Sequence, residues 1–107
     1  MFTRIVEITG KSGKVNELTH MIHEKFLPIL KKQTGFVDET VLTSDTNPNR
    51  ILGISFWKTK EDAERYRREE YPKVSELLLP LVEGAPIVRT FDVQSSTSHK
   101  IAARKAA

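Results

Sequence analysis

Four runs of alternating apolar and polar residues, two intervening stretches with helical spacing, and a short polar loop between the second and third runs predict an α+β domain of β-α-β-β-α(α)-β order. Right-handed crossovers around a central hairpin turn that order into a ferredoxin-like, four-stranded antiparallel sheet with helices on one face. The chain has 107 residues, enough for one hydrophobic core and too few for two.

The first strand is expected from about Phe2 to Thr9, with Phe2, Arg4, Val6 and Ile8 on one side and Thr3, Ile5 and Glu7 on the other. Gly10–Lys11–Ser12–Gly13 breaks it, and Ser12 or Gly13 is the expected cap of the next helix. From there Val15, Leu18, Ile22, Phe26, Ile29 and Leu30 make one apolar stripe. Pro28 lies within that stripe and predicts a kink or break near Leu27. After Gly35, Phe36 to Thr43 and Arg50 to Trp57 read as a hairpin around the loop Ser44–Asp45–Thr46–Asn47–Pro48–Asn49. Thr59–Lys60–Glu61–Asp62 is a capping signature, with Ala63, Tyr66 and Arg67 expected to face inward. Tyr71–Pro72 interrupts that helix, a second places Val74, Leu77, Leu78 and Leu81 on one face, and Ile87 to Val93 is the last strand.

Residues 1–93 thus form the domain, and 94–107 are expected to be a flexible tail whose alanine-rich end at most forms a fraying turn. The strands carry apolar residues in both phases: Phe91, Val93, Ile51, Gly53 and Trp57 in one, Leu52, Ile54 and Phe56 in the other. With no further helix to cover the second face, another copy of the chain is the expected partner.

Composition narrows the function. Without cysteine, thiolate catalysis, zinc-thiolate sites and iron–sulfur clusters are excluded. Three of the 17 basic residues, Lys100, Arg104 and Lys105, lie in the tail, which leaves 14 to balance the 14 acidic ones. No basic surface of the nucleic-acid-binding kind is expected. The longest apolar stretch, Leu77–Val82, is short and contains a proline, so neither a membrane span nor a signal peptide is expected, and the cytoplasm is the default compartment.

Gly35–Phe36–Val37 opening the second strand, and Phe56–Trp57–Lys58–Thr59–Lys60–Glu61–Asp62–Ala63 joining the third strand to its helix, resemble the antibiotic biosynthesis monooxygenase-like (ABM) family. The likeness spans roughly Phe2 to Val93. It implies a dimeric α+β barrel, a homodimer formed through the sheet faces, with a pocket between sheet and helices in each subunit. The family includes monooxygenases that need no cofactor and act on polycyclic aromatics, quinol monooxygenases and haem-degrading enzymes. Its aromatic at the end of the third strand matches Trp57. The histidine that many members carry on the following helix falls near Tyr66 here. The first-strand asparagine of the haem-degrading members has no counterpart, since Val6 and Glu7 stand in that region.

Each candidate residue has a chemical and a structural reading. Trp57 is a stacking wall for an aromatic ligand or a core residue. Tyr66 donates a hydrogen bond to a phenolate or to reduced oxygen, or is a boundary tyrosine with its hydroxyl in water. His23, at the edge of the apolar stripe, is a candidate base near neutral pH or an ordinary boundary histidine. His20 lies one turn away at metal-ligand spacing, but the pair has no third ligand, so no metal is expected. Arg4, Arg50 and Arg89 lie in strands and are expected to pair across strands with acids such as Glu7, Glu39 or Asp92, whereas Arg89 binds an anionic substrate if it faces a cavity. Gly10–Lys11–Ser12 lacks the spacing of a phosphate loop.

The leading expectation is a cofactor-independent monooxygenase or oxidase of a phenolic or quinol-type aromatic, with His23 and Tyr66 catalytic and Trp57 and Arg89 binding substrate. The alternative is a non-catalytic dimer that binds a small ligand or serves as a structural module. A haem-binding or haem-degrading protein comes last.

Overall fold

The computed structural model describes residues 1–101. The alanine-rich end lies outside the described residues. The elements are β1 (Phe2–Thr9), α1 (Val15–Met21), a π-helical segment (Ile22–Phe26), α2 (Leu27–Lys31), β2 (Phe36–Thr43), β3 (Arg50–Trp57), α3 (Lys60–Glu69), α4 (Tyr71–Leu78), a 3-10 turn (Leu79–Leu81) and β4 (Ile87–Asp92). The strands form one antiparallel sheet in the order β2-β3-β1-β4, and the helices cover one of its faces. This is the ferredoxin-like α+β arrangement expected from the alternation.

Pro28 explains the change of helical pitch. It has no amide hydrogen, and its ring crowds the carbonyl one turn earlier, so a regular α-helix cannot pass through it. The chain widens by one residue per turn just before it, with the Leu27 amide donating to the Ile22 carbonyl, and α2 restarts with Pro28 in its first turn. Ile22, Phe26 and Leu30 stay buried through the change.

Thr59 caps α3 as its spacing predicts: its backbone is extended and its Oγ1 accepts from the Asp62 amide at 3.1 Å. The cap of α1 differs from expectation. Lys14, not Ser12 or Gly13, holds that position, and no side chain bonds the free amides. Gly13, at φ +78°, serves the preceding turn. Arg67 is exposed and bonds Glu64 at 2.7 Å, and Leu77 is partly exposed, whereas Val74, Leu78 and Leu81 are buried.

Register corrects one phase assignment. Phe91 pairs with Thr3, and Thr3 with Phe56, so Phe91 shares the uncovered face with Phe56, Ile54 and Leu52. Ile51, Gly53, Ser55 and Trp57 face the helices together with Phe2, Arg4, Val6 and Ile8. The segment after β4 also touches the uncovered face: His99 packs on the Phe56 ring at 4.9 Å between centroids, and its Nε2 lies 3.2 Å from Asp38 Oδ2. Among the described residues no helix is long and apolar enough to cross a membrane.

Candidate active site

Between the sheet and the helices lies a cavity of about 60 Å³. Most of its wall is aliphatic or aromatic, with Val6, Ile8 and Val41 on the sheet side and Ile22, Phe26 and Val74 on the helix side. Gly53 leaves it open, because a Cβ placed there would meet nothing within 4 Å. The remaining lining is polar: Arg4, Glu39, Ser55, Tyr66 and Tyr71.

Glu39 reaches this cavity through an irregularity. Phe36 pairs with Trp57 and Asp38 with Phe56, so Val37 is an extra residue that bulges β2. Phe36 faces the helices, Asp38 the uncovered side, and Glu39, opposite Ser55, faces inward again. Bulges re-aim side chains in this way, often beside active sites. Burial among apolar neighbours, reinforced by the nearby Asp38 charge, pushes the Glu39 carboxyl up to about 7. Glu39 is therefore a carboxyl poised to take or give a proton near neutrality.

Arg4 projects from β1 and is only 4% exposed. Its guanidinium carbon sits 4.1 Å from the centre of the Tyr71 ring and 5.7 Å from that of Tyr66, which is cation–π geometry. Its Nε is buried without a hydrogen-bond partner. Tyr66 is held from behind: its ring lies 5.2 Å from that of Trp57, whose Nε1 donates to Ser55 Oγ at 2.9 Å. Ser55 Oγ in turn donates to the Arg4 carbonyl at 3.3 Å. Burial pushes the Tyr66 phenol well above its ordinary 10, against the opposing pull of Arg4, so it remains a neutral donor.

Of the residues singled out from sequence, Tyr66 alone lines the cavity. Trp57 is fully buried in the cluster with Phe2, Leu30, Ala63 and Tyr66 and forms no part of the cavity wall. His23 is exposed on the outer side of the π-helical segment, where Ile22 and Phe26 take the inward positions. His20 is exposed as well, and among the described residues no group of three metal-ligating side chains assembles. Arg89 pairs across strands with Ile5 on the uncovered face and lies 3.5 Å from Glu7, on the opposite side of the sheet from the cavity. The site residues that sequence reading missed are Arg4 and Glu39.

Fold and site together define an α+β domain that encloses a small apolar cavity with one charged, proton-active end. Comparison with known proteins gives it a family: the antibiotic biosynthesis monooxygenase model matches residues 1–74, and the chain belongs to that family. No curated protein matches the sequence. Among solved structures, SnoaB of Streptomyces nogalater, a cofactor-independent oxygenase, superposes with a TM-score of 0.76 at 17% identity, over 92% of this chain and 97% of that one. A conserved protein of Methanosarcina mazei Go1 gives 0.73 at 18% identity, over 85% and 91% of the two chains. A Pseudomonas aeruginosa protein gives 0.71 at 16% identity, over 88% and 94%. Identities this low speak for the fold alone.

Proposed function

We propose that the chain is an oxygenase that oxidises a small phenolic or quinol-type substrate in the cavity between sheet and helices, with the substrate itself supplying the electrons. The observation that carries this reading is that Glu39, with its carboxyl raised to about 7, and the neutral phenol Tyr66 line one apolar cavity. Family membership and the similarity to SnoaB, named as a cofactor-independent oxygenase, support it.

In this reading Glu39 removes the phenolic proton, and the electron-rich anion reduces O2 directly. For a phenol oxidised to a quinone, one atom of O2 becomes the new carbonyl oxygen and the other leaves in water. The ring C–H and the phenolic O–H are broken, and the substrate gives up all four electrons. Tyr66 donates a hydrogen bond to the anion as charge develops, in a water-poor site where such a bond is strong. Trp57 acts as a positioning residue that fixes the Tyr66 ring. The base is thus assigned to Glu39 rather than His23. A cavity of about 60 Å³ is smaller than the ~150 Å³ that holds a benzene ring, so ring binding requires the helix wall to move outward. A second copy of the chain covers the other face of the sheet, where Leu42, Ile87 and Phe91 are exposed.

Oxygen uptake without added cofactor, against a panel of hydroquinones and monocyclic phenols under 18O2, tests this. The expected result is a quinone carrying one labelled oxygen, a rate that rises with pH through about 7, and a loss of about 100-fold in Glu39→Gln. Tyr66→Phe is expected to be slower by about tenfold or more. Uptake at the no-protein level across the panel removes the oxygenase reading and leaves a ligand-binding module.

A further inference from the structure

We propose that the ligand of this cavity carries a carboxylate, held by the guanidinium of Arg4. The proposal rests on the reading of the cavity as the substrate site and adds the class of group the substrate must bear.

Arg4 is a charge that the fold buries without fully pairing. It is 4% exposed, lines the cavity, and keeps Nε without a partner, although a buried donor left unmade is costly. The guanidinium carbon lies over the rings of Tyr66 and Tyr71, contacts that give its Nε–H no hydrogen-bond acceptor. Glu39 is the one carboxyl that lines the cavity with it, and the two form no salt bridge within 4.0 Å among the described residues. With its carboxyl near half-protonated at pH 7, Glu39 also neutralises Arg4 only in part.

A neutral phenol would leave the guanidinium without a counter-charge until chemistry begins. A carboxylate is ionised on arrival and accepts charge-assisted hydrogen bonds from arginine. The small cavity volume favours a short chain for the rest of the ligand, or a single ring where the helix wall moves outward.

The test uses the 15N-labelled full chain and follows the Arg4 Nε–H resonance, assigned by its absence in Arg4→Lys. Propionate and benzoate are titrated beside their neutral counterparts 1-propanol and benzyl alcohol, with chloride holding ionic strength constant. The expected result is a saturable shift with at least one carboxylate and none with the alcohols. Calorimetry should show carboxylate affinity at least about tenfold weaker in Arg4→Gln and unchanged in Arg89→Ala. The proposal fails if neither carboxylate moves the resonance, if the alcohols move it equally, or if Arg4→Gln binds as well as the parent. The wild-type resonance decides the matter even if Arg4→Gln does not fold. Carboxylate binding without oxygen uptake from any phenol would sink the oxygenase reading and leave this one standing. Uptake from neutral phenols with no carboxylate response would do the reverse.

Discussion

The two faces of the sheet are built from the same four strands and obey different physics. Trp57 and Phe56 are neighbours on β3, yet Trp57 is fully buried among Phe2, Leu30 and Tyr66, while Phe56 is half-buried beside His99. The contrast extends to the charges. On the helix-covered face Arg4 and Glu39 line a largely apolar cavity, and burial shifts the Glu39 carboxyl. On the uncovered face Glu7 lies 4.0 Å from Arg50 and 3.5 Å from Arg89, with both arginine side chains about half exposed. Charge kept away from water acquires chemistry, whereas charge left in water mostly keeps the surface hydrated.

The sharpest way to break the comparison is to truncate the two aromatics. Trp57→Ala is expected to cost about 3–5 kcal/mol in urea-induced unfolding, a large part of the stability of a domain this size. Phe56→Ala should cost the isolated chain only about 1–2 kcal/mol, because its ring is already partly exposed. If a second copy covers that face, the melting temperature of the parent rises with protein concentration, and Phe56→Ala flattens the dependence. Equal costs for the two substitutions, independent of concentration, would show that the faces are not different in kind.

Glu39→Gln comes next. The folded-state value of about 7 lies above the ordinary 4.5, so the native chain holds more protons than the unfolded one between those values. Stability is therefore highest below about 4.5 as far as this group is concerned. It declines as pH rises through about 7 and then levels off. Allowing for partial exposure, the decline is on the order of 1–3 kcal/mol. Glu39→Gln should remove most of it, and thermal melts from pH 4 to pH 9 will show whether it does. An unchanged pH profile in the variant would place the carboxyl in water and dissolve the proposed base.

Glu39 also marks where the sequence stopped being legible. The element order and the interruption at Pro28 follow from alternation and backbone chemistry, and the Thr59 cap from side-chain spacing. Strict alternation counted from Phe36, however, sends Glu39 to the uncovered face. Only the bulge at Val37 turns it inward, and no residue type in Phe36–Val37–Asp38 announces a bulge. Arg4 is a different case. Its phase with Phe2, Val6 and Ile8 puts it on the core side, but an arginine in a strand is usually a surface pair, and residue type then outweighs phase. His23 failed because it follows Ile22 directly and so points away from the stripe that Ile22 and Phe26 keep inward, which leaves it exposed. Phe91 was assigned to the wrong face because period alone does not fix the phase of one strand relative to another.

Gly53 offers a smaller effect that separates shape from stability. A Cβ there meets open space, so Gly53→Ala should gain up to about 1 kcal/mol from the lower entropy of the unfolded strand. Gly53→Val should fold as well and fill part of the cavity. Under the proposed function it weakens ligand binding and slows oxygen uptake while the melting temperature holds. A variant that keeps full activity would move the substrate out of this cavity.

The smallest effect belongs to the uncovered face. Arg89 and Glu7 are 3.5 Å apart, but the arginine is half exposed, so salt and side-chain entropy cancel most of the attraction. Arg89→Ala should change the free energy of unfolding by less than about 0.5 kcal/mol, and less still in 0.5 M salt. Glu7 retains Arg50 on its other side, which lessens the loss further. A cost well above that, persisting in high salt, cannot come from an exposed pair. It would mean that Arg89 is buried in the folded protein in solution, and the surface available to bury it is a second sheet laid against this one. The weakest contact in one chain is therefore a sensitive reporter of whether the uncovered face stays uncovered.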